Sequence, residues 1–162
     1  MTADSTTAGS TTAGSTTESP AGSATRADRT PPPQVWPCLR ATDARALIRF
    51  LVDAFGFVEV AAYGEGDVVA HAELSWPEGG GVMLGSDRPG EQPRPGSWGP
   101  GSSCCYVVSD HVDELHERAV AAGARILVPP TDTDYGSRDF TAADPEGNQW
   151  AFGTYRGEPH PG

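Results

Sequence analysis

His71 and Glu73 stand two residues apart in the run His-Ala-Glu-Leu, and on a strand both would leave the same face. A carboxylate beside an imidazole favours its protonated form, so the pair could be a base with an orienting acid, or simply a hydrogen-bonded couple on a sheet. Glu59 is the one further donor that could join them in a metal site displaced from any familiar place. His111 and His116 are spaced i, i+5, off a shared helix face, and His160 falls in the segment 158–162, read as a frayed C-terminus. Cys104 and Cys105 are adjacent, so on a strand they point apart and do not suit a disulfide. With Cys38 they make an odd set without Cys-x-x-Cys spacing, which leaves a zinc knuckle or a thioredoxin-type site unsupported. Ser-His-Asp and phosphate-loop patterns are absent as well.

The elements that must carry these residues emerge from an internal repeat. At a shift of 67, Cys38-Leu39-Arg40-Ala41-Thr42-Asp43 falls on Cys105-Tyr106-Val107-Val108-Ser109-Asp110, and Ala54-Phe55-Gly56 on Ala121-Ala122-Gly123. At a shift of 68, Pro77-Glu78-Gly79 falls on Pro145-Glu146-Gly147, and 82–86 on 150–154. Matches in constant order at a nearly constant spacing indicate a duplicated module. Each copy reads as a short strand (35–40 and 104–108), then a helix opened by Thr42 or Asp43 and by Ser109 or Asp110 and closed by Gly56 or Gly123. Leu47, Ile48, Leu51, Val52 and Phe55 form the apolar stripe of the first helix; Val112, Leu115, Ala119 and Ala122 form a weaker one on the second. Three strands follow in each copy, at 57–63, 68–76 and 82–86, then at 125–128, 138–143 and 149–154. The class is α+β, with tandem βαβββ modules forming curled mixed sheets around a cleft.

Strand alternation assigns Val68, Ala70, Ala72, Leu74 and Trp76, with Val58, Val60 and Ala62, to the helix side. Phe57, Glu59, Ala61 and Tyr63 then share the opposite face with Val69, His71, Glu73 and Ser75. That mixed face is either solvated, as one side of an antiparallel sheet commonly is, or the lining of a pocket.

Composition bounds the rest. The chain has 162 residues, 22 acids against 11 basic residues, all of them Arg, and a net charge of −11. Such acidity repels phosphate backbones and attracts small cations to any concave acidic site, so nucleic acid is not an expected partner. No run approaches the ~20 apolar residues of a membrane span. Residues 1–33 repeat Thr-Thr-Ala-Gly-Ser and end in Pro31-Pro32-Pro33; side chains so small and polar cannot offset the entropy of ordering, so a disordered tail is expected. Without an apolar leader segment the cytoplasm is the expected setting. The organisation is therefore a tail over 1–33 and one domain over 34–157, with module one at 34–86, a Pro/Gly-rich linker at 87–101 and module two at 102–157.

Pro37-Cys38-Leu39-Arg40, Ala54-Phe55-Gly56-Phe57, His71-Ala72-Glu73-Leu74, Tyr135-Gly136-Ser137-Arg138 and the closing Asp144-Pro145-Glu146-Gly147-Asn148 resemble the vicinal oxygen chelate superfamily of glyoxalases, ring-cleaving dioxygenases and bleomycin resistance proteins, over about 35–154. His-Ala-Glu-Leu points to the bleomycin-resistance-like branch. The resemblance implies a cleft with four metal-ligand positions on the first and last strands of each module, here near Trp36, Met83, Ser103 and Ala151. Those four residues supply neither imidazole nor carboxylate, so neither metal nor other cofactor is expected. The implied function is a metal-free binding protein for a small cationic or aromatic ligand, an antibiotic among the candidates, and by resemblance a homodimer. Its expected ligand-binding residues are Trp36, Phe57, Glu59, Tyr63, His71, Glu73, Tyr135 (with Asp134 on the same overhanging loop) and Ala151, and no catalytic residue is assigned. The alternatives are a metal-dependent lyase, isomerase or dioxygenase of the same fold using displaced ligands, and a structural or regulatory module with a vestigial cleft.

Overall fold

The computed structural model describes residues 34–88 and 98–159. The tail expected over 1–33, most of the expected linker (89–97) and residues 160–162 lie outside the described residues. Module one runs β1 (Cys38–Ala41), α1 (Ala44–Phe50) with a π-helical continuation (Leu51–Phe55), β2 (Val58–Glu65), β3 (Val68–Ser75) and β4 (Gly81–Ser86). Module two runs β5 (Cys104–Val108), α2 (Val112–Ala121), β6 (Arg125–Asp132), β7 (Arg138–Ala143) and β8 (Gln149–Gly153). Each makes a four-stranded mixed sheet, ordered β1-β4-β3-β2 and β5-β8-β7-β6. The first strand pairs parallel with the last and the other pairs are antiparallel. A parallel neighbour needs a crossover, and the helix of each module supplies it. None of the described helices is long and apolar enough to cross a membrane.

Local chemistry sets the helix ends. The Asp43 carboxylate accepts the Ala46 N–H at 2.9 Å and caps α1. On α2 the N-cap is His111, one residue beyond the expected Ser109 or Asp110; Ser109 Oγ instead accepts the His111 N–H in the preceding turn. Gly56 takes φ +85° and lets the chain reverse, so that Phe57 N–H reaches Leu51 O.

Strand register resolves the two repeat spacings. Met83 pairs with Glu73 as Ala151 pairs with Thr141, and their parallel partners are Cys38 and Tyr106, so the strands repeat at 68. The turns agree: Trp76 N–H to Gly80 O and Gly79 N–H to Trp76 O recur as Asp144 N–H to Asn148 O and Gly147 N–H to Asp144 O. Between them the Gly56–Gly123 match at 67 leaves module one's helical segment one residue longer, and the π turn absorbs that residue. The repeat partner of Trp36 is therefore Cys104, not Ser103 as expected, and the partner of Cys38 is Tyr106.

The helix-side faces of both sheets meet in one core. Phe55, on the π turn, lies 5.7 Å from Trp150 and 4.8 Å from Phe152, ring centre to ring centre, and Phe57 lies 5.2 Å from Trp76 and 5.5 Å from Trp150. From α2, Arg118 donates to the carbonyls of Val52 and Asp53, both at 2.7 Å, satisfying acceptors that the end of the first helix leaves open.

Two bulges correct the expected strand faces. β2 steps out of register between Glu59 and Ala61, and the β2–β3 ladder shifts again between Tyr63 and Gly64. An extra residue reverses the in–out alternation beyond it. Val58, Val60, Val68 and Ala70, expected under the helix, are exposed, while Val69 is buried beside Ala72 and Leu74.

Candidate functional site

Each sheet keeps one face away from the shared core. On module one, ladder pairing sets Cys38, Met83, Glu73 and Ala61 in one row. Beside it Tyr63 pairs with His71, the two rings stacked 6.4 Å apart at 15°. His71 Nε2 and Glu73 Oε1 are 2.9 Å apart, with side chains 42% and 34% exposed. Trp36 precedes β1 and lays its ring against Gly81, where a Cβ would sit 2.7 Å from the indole Cζ3. Trp36, Tyr63, His71 and Glu73 thus gather on or beside one sheet face.

Two of the expected residues do not join them. Phe57 is 3% exposed and packs in the core, because it precedes β2 and its bulge. Glu59 pairs with Leu74, on the helix-side phase of the ladder, and reaches solvent only because β2 is an edge strand. The bulge at Val60 separates it from Ala61 and Tyr63.

On module two the matching row is Tyr106, Ala151, Thr141 and Val128. Ala151 lies on the away face as expected, and two residues further along β8 the Tyr106 hydroxyl and the Asp139 carboxylate lie over Gly153. Asp139 accepts from Ser137 and Tyr106 on Oδ1 and, at 3.1 Å, from Tyr135 on Oδ2. Thr154 lies 3.3 Å from Ser137 Oγ, and Tyr135 packs edge-on against Tyr155 at 5.8 Å. The carboxylate of Asp139 holds the Tyr135 phenol above its ordinary pKa, since the hydrogen bond uses the phenolic proton. Tyr106 and Asp139 were missed in the sequence; only the β5–β8 register shows that Tyr106, not Ser103, stands opposite Ala151. Ser103 precedes β5, where its N–H bonds Asn148 Oδ1 and its carbonyl accepts from Gln149.

Of the four positions the resemblance implies, Met83 and Ala151 stand opposite Cys38 and Tyr106, while Trp36 and Ser103 precede β1 and β5. Trp36, Met83, Ser103 and Ala151 bring no imidazole, carboxylate or thiolate, and the single Cys38 thiol opposite Met83 does not by itself make a divalent site. Glu73 is beside Met83 but is engaged with His71. Among the described residues no three His, Cys, Asp or Glu side chains gather as a metal site.

The thiols differ in environment. Cys38 and Cys104 are exposed, whereas burial, then Cys104 and Asp144, push the Cys105 thiol up to about 11. Iodoacetamide at pH 8 is expected to alkylate Cys38 and Cys104 and spare Cys105, read by peptide mass mapping; equal labelling of all three would contradict this. The sign for stability follows. A thiol raised by folding contributes fully below its unfolded value near 9, and that contribution is lost as pH rises from there through about 11.

Comparisons with known proteins agree with this geometry. The model of the Glyoxalase/Bleomycin resistance protein/Dioxygenase superfamily matches residues 34–152. A Mycobacterium bovis protein is 33% identical over 126 residues, covering 75% of this chain and 82% of its own. TioX from Micromonospora sp. ML1 superposes with a TM-score of 0.57 at 32% identity, covering 72% of this chain and 93% of TioX. A glyoxalase I variant from Zea mays superposes with a TM-score of 0.57 at 19% identity over 73% of this chain and 43% of that one, which supports the fold. With the duplicated βαβββ sheets, these findings establish that the chain belongs to the Glyoxalase/Bleomycin resistance protein/Dioxygenase superfamily.

Proposed function

We propose that the protein binds a small cationic or planar aromatic molecule, without a metal ion, on the sheet faces turned away from the core. The observation that carries this reading is the residue set at the positions where the resemblance implies metal ligands, Trp36, Met83, Ser103 and Ala151, with Cys38 and Tyr106 opposite Met83 and Ala151. On module one the stacked Tyr63–His71 pair offers a flat surface, and Glu73 supplies negative charge at its edge. On module two Tyr106, Tyr135 and Tyr155 surround Asp139, a second aromatic setting for a cation.

Because the helix sides meet within one chain, each polar face is turned away from the core. A second copy could set module two of one chain over module one of the other and so enclose a pocket, which makes a homodimer part of the proposal. The setting is the cytoplasm, where the three cysteines stay reduced; an antibiotic is one ligand of the stated chemistry.

Native mass spectrometry of protein purified without a His tag reads metal, retained ligand and subunit number together. The expectation is a metal-free dimer. A stoichiometric divalent ion would transfer the protein to the metal-dependent lyases, isomerases and dioxygenases of the superfamily. Titration with acridine orange, a planar cation, is expected to saturate, and Glu73→Gln to weaken it about fivefold, the value of one half-exposed charge. Unchanged affinity would move the site off this face.

A further inference from the structure

A groove of about 450 Å³ opens at the seam between the modules, on the core side of both sheets, and shares only Tyr106 with the residues of the faces just described. Its floor is Phe57, Trp76, Val82, Val107 and Trp150, with Cys105 beside them. One lip is the turn Gly79-Gly80-Gly81, with nothing within 4 Å of a Cβ at Gly79 or Gly80 among the described residues and the Trp36 ring against Gly81. Val35, 84% exposed, forms part of the rim, and Arg156 bridges Glu78 and Asp110 at the mouth.

The opposite wall is β5, the outer strand of its sheet. Ser109 N–H bonds Gly153 O and Gln149 N–H bonds Ser103 O, so the odd-numbered residues of β5 turn their amides to β8. By alternation the amide and carbonyl of Tyr106 turn to the outer edge, on the groove side. At Val108 that edge is already taken, because Trp76 Nε1 donates to its carbonyl at 2.8 Å. Among the described residues the edge left at Tyr106 is thus too short for an added strand and suits one donor–acceptor pair on a flat molecule.

We propose that this groove is a second ligand site, for an uncharged planar aromatic molecule carrying an amide-like N–H and C=O on one edge. The ring system lies on the Trp76 side of the floor, its N–H donates to Tyr106 O, and its carbonyl accepts from Tyr106 N–H. The volume falls in the ~300–1,000 Å³ range of drug-sized pockets. Arg156 is balanced by two carboxylates, so the mouth does not select for an anion.

The test is a titration of the full chain with phenanthridin-6(5H)-one, a neutral tricyclic lactam, followed by 15N amide shifts and tryptophan fluorescence. Saturable binding is expected, with the Tyr106 amide among the largest shifts. The N-methyl analogue, which cannot donate, is expected to bind about tenfold more weakly. Val35→Trp at the exposed rim is expected to obstruct the groove and weaken binding, while Glu73→Gln leaves it unchanged. Absence of saturable binding, equal affinity for the N-methyl analogue, or shifts confined to the Tyr63–His71–Glu73 face would overturn the assignment. Weaker acridine orange binding in Glu73→Gln with lactam binding intact separates the two sites, so either can fail alone.

Discussion

Asp144→Ala is expected to destabilise the protein by about 3–4 kcal/mol, because four N–H groups converge on this one buried carboxylate. Oδ1 accepts the backbone N–H groups of Glu146 and Asn148, both at 3.0 Å, and Oδ2 accepts Asn148 Nδ2 at 2.8 Å and Trp150 Nε1 at 3.0 Å. Asp144, Asn148 and Trp150 are all within 5% of complete burial, so the released donors have no water to turn to. The Asp-Pro-Glu-Gly-Asn sequence is therefore a turn built around its first residue, and it aims Trp150 into the core. Urea unfolding would show the loss as a lower midpoint with an unchanged slope. Asp144→Asn keeps one acceptor oxygen and is expected to lose less. An alanine variant within about 1 kcal/mol of the parent would mean that the turn is held from elsewhere.

Phe55→Ala is expected to cost about 3–5 kcal/mol, the usual range for emptying a buried aromatic site. Its ring is fully buried and touches Phe50 in its own module and Trp150 and Phe152 in the other. The side chain sits where the extra residue of the π turn rotates it toward the second sheet. The cavity would open between modules, so a single cooperative thermal transition is expected to move down and broaden. A variant with parental stability would show that the module contact lies mainly in the α2–π-turn packing and the Arg118 bonds to Val52 and Asp53.

Much of the site's framework was legible before any coordinates. The repeat, the two helices with their Gly56 and Gly123 ends, and the Pro-Glu-Gly turns depend on local chemistry that adjacent residues carry with them. His71 and Glu73 meet because a strand places i and i+2 together whatever lies around it. Glu59 and Phe57 were misassigned for a different reason. A bulge leaves no local mark in Val58-Glu59-Val60-Ala61, yet one extra residue reverses every later side chain relative to the partner strand.

The amino-acid sequence by itself determined the family and the tandem βαβββ order, since these depend on residue type and spacing along the chain. Only the tertiary structure decided that Cys38 and Tyr106 are the residues opposite Met83 and Ala151, that Tyr106, Ser137, Tyr135 and Asp139 close over one sheet face, and that a groove opens at the seam. Each of those is a matter of register between segments far apart in sequence, where a one-residue slip costs nothing locally and changes which side chains meet.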